Sequence, residues 1–279
     1  MRYVTALLIA SAAFALHGTG AEPEKYDVYA VRFATIANFP VSSLVAGADR
    51  SRRADIAMMV WVVKGAGGRI ALVDSGFHRD QYFTQFAVKD FVLPSEALAP
   101  LGIKPDQVTD IFLSHMHWDH AGGIDLFPQA HVWVQKDEYE YYTGQAWQAR
   151  NTHGGIDPDD VVELVRRNTR GLVTLVRGDD DVSISGIGFR IGGKHTWQSQ
   201  FVTADTLKGT IVIASDNAYL YENLETRKAI AQTLDAASNL RAQETMRGLA
   251  ADPRLVVPGH DPAVFDRFPR VAERIVKIE

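Results

Sequence analysis

The sequence predicts an α/β fold, in which short buried strands alternate with helices. Runs rich in β-branched and aromatic residues, such as Ile56 to Val63, are typical of strands, whereas Lys136 to Tyr142 and Pro158 to Arg167 follow a helical pattern. Several of the predicted strands end in or near a histidine or an aspartate, which is how α/β sheets build sites. The other predicted strands are Asp27 to Phe33, Arg69 to Val73, Ile111 to Leu113, His131 to Val134, Leu172 to Val176, Val182 to Ile184, Gly188 to Ile191, Thr210 to Ala214 and Leu255 to Val257.

Length and composition are those of a globular protein that does not bind nucleic acid. The chain has 279 residues, 46% hydrophobic and 23% charged, which is ordinary for a folded domain. A two-sheet α/β fold can reach this length as one unit, so we expect a single domain over residues 22–279. The net charge of −5 and the absence of a long basic stretch argue against a nucleic-acid partner.

Residues 1–21 have the pattern of a secretory signal peptide. Arg2 gives a weakly basic start, Val4 to Leu16 is mostly apolar, and Thr19 to Ala21 offers small residues for cleavage. The apolar run is too short to span a bilayer, so we expect no membrane-spanning segment after cleavage. A periplasmic or secreted location follows, and the chain has no cysteine that an oxidising compartment could affect.

Three helices and one long connection complete the predicted elements. The helices are Asp80 to Val88, Leu224 to Leu249 with alanine and leucine at helical spacing, and Pro269 to Ile278 at the end. The connection between the strands that end at Phe33 and begin at Ile56 is long, and such loops are often functional. It lies either over the mouth of a site or on the surface as a plain excursion.

The richest chemistry lies in the stretch from Ser114 to Gly123, directly after a predicted strand. Beyond the strand, alternate residues of an extended chain point the same way, so His115 and His117 face one point. Asp119 and His120 follow where a helix should begin, and they point in other directions. The stretch therefore supplies two sets of metal ligands, and nitrogen and oxygen ligands without a thiolate favour zinc, with iron, manganese or cobalt as alternatives.

Four further residues at or near the ends of predicted strands could join this site. His195, Asp216 and His260 are weak candidates taken singly, because a lone histidine is more often packed in a core or exposed on the surface. Together with the first motif they complete a ligand inventory. Asp74 ends another strand before a glycine turn, where it either orients a metal-binding histidine or serves as a plain turn residue.

These residues give the chain a resemblance to the metallo-β-lactamase superfamily, whose HxHxDH signature is matched from His115 to His120. The resemblance implies a four-layer αββα sandwich with a dinuclear metal site at one edge. It implies further that one ion is held by three histidines, that the other is held by Asp119 and two histidines, and that a carboxylate and a hydroxide bridge them. The three histidines of the first ion are His115, His117 and His195, the two histidines of the second are His120 and His260, and the bridging carboxylate is Asp216.

Within the superfamily, the segment Ser215 to Glu225 is similar to that of the N-acyl homoserine lactonases. The resemblance implies that the Tyr219 phenol donates a hydrogen bond to the substrate and that Asp119 returns a proton to the leaving alkoxide. It favours a dizinc hydrolase that opens the ring of a small-molecule lactone, with a homodimer possible. The alternatives are hydrolysis of a thioester, a phosphotriester or a β-lactam, and a non-catalytic metal-binding domain. Phe39, Trp118 and Trp197 either line an acyl pocket or pack as ordinary aromatic residues.

Overall fold

The structure is a computed structural model that describes residues 23–179 and 184–279. The signal peptide predicted over residues 1–21 lies outside these residues and stays a prediction. Of the strand predicted from Val182 to Ile184, only Ile184 is described, and it forms an isolated bridge with Ile187. In the described part of the chain, no helix combines the length and the apolar character needed to cross a membrane.

The larger of two mixed sheets has nine strands. Its strands are β1 (Tyr26–Pro40), β2 (Arg53–Gly65), β3 (Ile70–Val73), β4 (Val88–Lys89), β5 (Asp110–Phe112), β6 (His131–Gln135), β7 (Val173–Val176), β12 (Arg270–Ala272) and β13 (Ile275–Ile278). Their order is β12-β13-β1-β2-β3-β5-β6-β7, with β4 paired to β1. The strands from β3 to β7 in this order run parallel, whereas the others are antiparallel.

The smaller sheet has four strands in the order β11-β10-β9-β8. Their bounds are β8 (Ile187–Ile191), β9 (Gln200–Thr206), β10 (Gly209–Ser215) and β11 (Val256–Pro258). Seven α-helices connect the strands of both sheets in the described residues: α1 (Asp80–Gln85), α2 (Trp118–Ala121), α3 (Lys136–Tyr142), α4 (Pro158–Thr169), α5 (Tyr221–Thr226), α6 (Ala236–Leu249) and α7 (Val264–Arg267).

The two sheets pack face to face, and helices cover their outer faces. Phe112 of the large sheet meets Phe189 of the small sheet edge to face, with 5.2 Å between ring centroids. On the outer faces, Leu164 of α4 is buried in the core beside the large sheet, and Met246 of α6 is buried with the small sheet. The layers are therefore helix, sheet, sheet, helix, and the predicted αββα sandwich is confirmed.

The candidate ligands follow the ends of neighbouring strands in both sheets. In the large sheet β3 and β5 run parallel, so Asp74 and His115 leave the same edge. In the small sheet β10 and β11 also run parallel, and Asp216 and His260 follow them. Because the sheets are stacked, the two edges meet, as expected for a site at the carboxyl ends of strands.

Two of the predicted helices are interrupted or shorter than predicted. The helix predicted from Leu224 to Leu249 is wrong, since α5 ends at Thr226 and Arg227 adopts a left-handed φ of 55°. A new helix begins only after Asp235, whose carboxylate accepts a hydrogen bond from the Ser238 N–H. The helix predicted from Asp80 to Val88 ends at Gln85.

The helix predicted from Pro269 to Ile278 is wrong, because this segment forms the β12–β13 hairpin. Its last residue, Ile278, pairs with Val28 of β1, and β1 supplies hydrogen-bond partners that a local pattern does not reveal. Strand β9 was not predicted. The predicted long connection is shorter than expected, because β1 continues to Pro40 and β2 begins at Arg53.

Candidate metal centre

The structure brings all seven predicted ligand residues together in two adjoining groups. Within each group, the potential ligand atoms all lie within 4.8 Å of one another. This division of the residues is the one that the resemblance implies, with the bridging carboxylate of Asp216 counted in the first group. The first group is His115, His117, His195 and Asp216, and the second is Asp119, His120 and His260. Neither group contains His78, His131 or His153.

The local backbone of the HxHxDH stretch explains how one segment serves both groups. The chain stays extended past β5 to His117, which has φ −63° and ψ 150° and stands directly before α2. The turn to helix then carries Asp119 and His120 to the second group. Gly123 packs against the Ser75 carbonyl so closely that a Cβ would lie 2.1 Å from its oxygen, so this position requires glycine.

Four of the histidines are oriented by hydrogen bonds at Nδ1, which leave Nε2 for the centre. His195 and His260 face the backbone carbonyls of Gln232 and Ala57 at 2.8 and 3.0 Å. Because a carbonyl only accepts, Nδ1 carries the proton in both rings, and Nε2 presents a lone pair. The Nδ1 atoms of His115 and His120 lie 2.8 Å from Ser114 Oγ and Asp74 Oδ2 respectively.

Asp216 lies between the two groups with one oxygen turned toward each. Oδ1 lies 2.9 Å from His260 Nε2 and 3.2 Å from His120 Nε2. Oδ2 lies 3.3 Å from His195 Nε2 and 3.7 Å from His115 Nε2. A carboxylate in this position can bind one cation through each oxygen, which is the bridging position that the resemblance implies.

Asp74 supports the ligands from beneath. Its carboxylate is fully buried and accepts hydrogen bonds from the Ser114 N–H and hydroxyl at 2.8 and 2.9 Å. It also accepts from the Ser215 hydroxyl at 2.8 Å, directly before Asp216, in addition to its contact with His120. Asp74 therefore links the ends of three strands and orients a ligand, which is the first of its two predicted roles.

The backbone is strained at three points of the centre. Asp74, Lys194 and Ser215 adopt left-handed φ values of 62°, 57° and 47°, which are uncommon for residues other than glycine. Lys194 and Ser215 directly precede the ligands His195 and Asp216. Strain of this kind persists where the surrounding structure fixes the backbone, and here it aims side chains into the centre.

The electrostatics of the two groups fit cations. Burial and the neighbouring imidazoles lower the pKa of His115 well below its ordinary value, and the pKa of His117 falls to about 3 for the same reasons. Burial alone would raise the pKa of Asp216, but His120 and His260 lower it well below its usual range. The buried Nε2 atoms of His115 and His120 and Oδ1 of Asp216 make no hydrogen bond within the described residues. In the second group burial alone would lower the pKa of His120 and His260, but the carboxylates of Asp216 and Asp119 raise it, so a cation bound there would take the place of protons. The neutral imidazoles of the first group, the ionised carboxylates and the lone pairs without partners are what metal ions require.

A cavity of about 240 Å³ opens directly onto the centre. Phe39 and Trp118 lie in its wall, as one predicted alternative had it, and Asp119 and Tyr219 contribute polar groups to the same cavity. Trp197 does not belong to it, because it lines a second cavity of about 390 Å³ with Tyr141 and His195. The apolar wall of the first cavity comprises Ile36, Phe39, Leu44, Ile56, Phe86 and Trp118.

The pattern of ligands and strands agrees with a known family. A family model described as the metallo-beta-lactamase superfamily matches residues 57–260, which include every candidate ligand. The chain belongs to the metallo-beta-lactamase superfamily. Its fold and its paired histidine and aspartate groups are those of this superfamily.

Among curated members of the superfamily, the chain is similar to N-acyl homoserine lactonases. It is 28% identical over 179 residues to the lactonase AttM of Rhizobium johnstonii, a match that covers 62% of this chain and 65% of that relative. It is 30% identical over 174 residues to AttM of Azorhizobium caulinodans, covering 60% and 64%. The match thus spans just under two thirds of the length of these relatives.

The solved structures show the same fold over a longer stretch. One is an N-acyl homoserine lactone hydrolase with the product N-hexanoyl-L-homoserine bound at its catalytic metal centre. The present chain superposes on that hydrolase with a TM-score of 0.72 at 18% sequence identity. The match covers 91% of this chain and 100% of the other.

Two residues that contact the centre were not singled out as part of the site from the sequence. Glu138 is fully buried beside the ligand loops, and Gly155 lies against the His117 ring. The pair Gly154-Gly155 was a visible signal, because adjacent glycines often permit close backbone approach. Glu138 gave no such signal, because an acidic residue in the first turn of a helix is ordinary on the surface.

Proposed function

We propose that the protein is a dizinc hydrolase that opens the lactone ring of N-acyl homoserine lactones. The observation that carries the proposal is the arrangement around one cavity, where the two ligand groups, the Tyr219 phenol and an apolar wall lie together. The similarity to curated lactonases supports the choice of substrate class. The alternatives of a thioester, phosphotriester or β-lactam substrate become outcomes of the test.

The chain's own residues would hold both cations. His115, His117 and His195 would bind one, Asp119 would join two histidines on the other, and Asp216 would contact both. Two cations held in this way would supply an activated water and polarise the substrate carbonyl. Their presence explains how hydrolysis proceeds without a serine or cysteine nucleophile. The two histidines of the second group are His120 and His260.

Tyr219 supplies a hydrogen-bond donor to the reacting carbonyl. It is 4% exposed, and its hydroxyl lies near the centre, 3.4 Å from His195 Nδ1. Burial and the charges of Asp216 and Asp119 raise the pKa of the phenol well above its usual range, so it stays protonated. A protonated phenol can donate to the oxygen on which negative charge develops in the transition state.

Asp119 moves the proton that ring opening requires. Its carboxylate faces the cavity, with Oδ2 3.5 Å from His120 Nε2 and 3.6 Å from His260 Nε2. When the ring C–O bond breaks, the leaving alkoxide needs a proton, and the attacking water must lose one. A carboxylate within reach of both can accept the proton that the water loses and give it to the alkoxide.

The apolar wall accounts for an acyl chain on the substrate. Six hydrophobic side chains line the same cavity as the polar groups. Burial of an alkyl chain against them contributes about 0.8 kcal/mol per methylene. We therefore expect affinity to increase with chain length until the cavity is filled.

A substrate panel and a metal analysis test the proposal together. Zinc-loaded protein should contain about two ions per chain, and it should release acid from N-acyl homoserine lactones in a pH-drop assay. Faster turnover of thioesters, phosphotriesters or nitrocefin would replace the proposed substrate and keep the hydrolase. Protein that binds two ions and hydrolyses nothing in the panel would leave the non-catalytic alternative standing.

Tyr219→Phe tests the role of the phenol. Removing the hydroxyl removes a donor to the developing charge, so we expect kcat for lactones to fall by at least about 10-fold, with the metal content unchanged. Tyr221→Phe is the matched control, because Tyr221 is also buried and its hydroxyl makes no hydrogen bond within the described chain. Equal kcat values in the two variants would contradict the role given to Tyr219.

A further inference from the structure

Glu138 is a buried carboxylate in the first turn of α3, outside the two ligand groups. It is fully buried, and the ion pairs among the described residues include none with Glu138. Burial raises the pKa of its carboxyl. A buried carboxylate without a cationic partner is costly unless its oxygens accept several hydrogen bonds, and such a position calls for an explanation.

The hydrogen bonds of Glu138 come from the two loops that carry the ligands of the first cation. Oε1 accepts from the Met116 N–H at 3.0 Å and from the Thr196 hydroxyl at 2.7 Å. Oε2 accepts from the Gln198 N–H at 2.6 Å. Met116 lies between His115 and His117, and Thr196 directly follows His195.

These loops belong to different sheets, and β-strand pairing does not fix one against the other. The first loop follows β5 of the large sheet, and the second joins β8 to β9 of the small sheet. The ligand atoms they carry meet closely, with His117 Nδ1 2.9 Å from His195 Nε2. An acceptor-only group between the loops can hold both at once, since a carboxylate accepts on each oxygen and has no donor to misplace.

We propose that Glu138 is a positioning residue that fixes the His117 and His195 imidazoles in the spacing required by the first cation. The inference rests on the metal occupancy in the proposed function and not on the substrate. Hydrogen-bonding partners behind metal ligands typically change metal affinity or activity by 10- to 100-fold when they are lost. Glu138 acts on the imidazoles indirectly, through the backbone N–H groups of the two loops and the Thr196 hydroxyl.

The test is the zinc affinity of each site, measured by competition with a chromophoric chelator. Glu138→Gln keeps the size of the side chain but turns an NH₂ group toward one of its donors, so at least one hydrogen bond is lost. We expect the affinity for one of the two zinc ions to fall roughly 10- to 100-fold, with the other site changed far less. Cobalt substitution should show an altered absorption spectrum for the same site.

Asp110→Asn is the matched control. Asp110 is another buried carboxylate at the opposite end of β5, where it accepts from the Trp133 indole and the Thr109 hydroxyl and, unlike Glu138, pairs with an arginine, Arg69. The Asp110→Asn variant should have a lower melting temperature than the wild type, with the affinity of both zinc sites unchanged. If Glu138→Gln behaves in the same way, Glu138 is merely structural and the inference is overturned.

A second pair of variants covers the case in which Glu138→Gln does not fold. Thr196→Val removes only the hydroxyl that donates to Glu138, and Thr196→Ser keeps it. We expect Thr196→Val to weaken zinc binding at one site and Thr196→Ser to retain most of the affinity. Equal affinities in the two variants would overturn the inference. Wild-type protein that binds no zinc would instead overturn the proposed function, and the inference with it.

Discussion

Gly155 lies against the imidazole of His117. It has a left-handed φ of +78°, and a Cβ built on it would lie 2.8 Å from His117 Cδ2 and 3.0 Å from Nε2. Its carbonyl accepts the Trp118 N–H at 2.9 Å, which fixes this backbone to the start of α2. The absence of a side chain is therefore required twice, once by the backbone conformation and once by the ligand ring.

Gly155→Ala should separate these two requirements. The left-handed conformation alone costs about 1–2 kcal/mol of unfolding free energy for alanine. The contact with His117 must in addition displace the ring, and a shift of about 1 Å at a catalytic group can lower activity by about 100-fold. We expect both a lower stability and a large loss of zinc affinity, measured by urea unfolding and by chelator competition.

Gly171→Ala provides the control for backbone strain. Gly171 has φ +73°, and a Cβ there would meet nothing within 4 Å. It should lose a similar 1–2 kcal/mol while zinc binding stays at the wild-type level. If the two alanine variants bind zinc equally well, a side chain at position 155 does not displace the His117 ring, and the role given to Gly155 is wrong.

At the scale of elements, the segment between α5 and α6 connects the mouth of the cavity to the centre. Ile230 forms a bridge with Val45, and the Ala231 N–H donates to the Leu44 carbonyl at 3.1 Å. Two residues later along the chain from Ile230, the Gln232 carbonyl accepts from His195. The segment thus pairs on one side with the loop between β1 and β2, which contributes Leu44 to the cavity, and on the other side it orients His195.

Asn239 of α6 holds this segment in place, and its replacement should destabilise the protein. It is fully buried, its Oδ1 accepts the Ile230 N–H at 3.0 Å, and its Nδ2 donates to the Asn217 carbonyl at 2.9 Å. Asn239→Leu keeps the branched skeleton of the side chain but leaves both backbone groups buried and unpaired. We expect a loss of roughly 2–4 kcal/mol in the free energy of unfolding, measured with urea.

Glu244→Gln on the same helix is the comparison for the Asn239 variant. Its side chain is 70% exposed, and it forms an exposed ion pair with Arg247 at 3.1 Å. Loss of such a pair changes stability by about 0–1 kcal/mol. An Asn239→Leu variant no less stable than Glu244→Gln would show that the segment is held by other contacts.

The elements predicted correctly and wrongly differ in where their determinants lie. The α4 helix was predicted correctly, because Asp157, which caps it, and Pro158, which begins it, act on their own neighbours. The helix predicted from Leu224 to Leu249 failed because its middle pairs with a loop about 180 residues away in sequence, which helical periodicity cannot register. The same holds for Pro269 to Ile278, whose strand pairing with β1 overrides its local preference.

The two groups of candidate ligands were predictable because the spacing of the first four repeats a known motif, whereas the residues that support them were not. His115, His117, Asp119 and His120 lie in one stretch, so local geometry and resemblance both apply. Glu138 is distant from His195 in sequence, and only the folded chain shows that it accepts hydrogen bonds from both ligand loops. Positioning groups of this kind depend on long-range contacts, which one sequence does not display.

At the scale of the whole molecule, the two ligand groups link both sheets through one small volume. His115 follows a strand of the large sheet, and Asp216 and His260 follow strands of the small sheet. Without cations, the Nε2 atoms of buried imidazoles face one another and the carboxylates in a confined space. Cations bound only by the native state would therefore stabilise the packing of one sheet on the other.

Removal of the metals should lower the melting temperature of the whole domain. A ligand at 100 times its Kd adds about 2.7 kcal/mol to the native state, and for a chain of this size each kcal/mol shifts the melting temperature by roughly 2–4 °C. We expect a chelator to lower it by roughly 5–10 °C per site under these conditions, and added zinc to restore it. Asp216→Ala, which removes the carboxylate between both groups, should show less than half of this response. A wild-type melting temperature that does not change with the chelator would mean that the seven side chains hold no metal that matters to folding, because any tightly bound cation must contribute to the stability of the state that binds it.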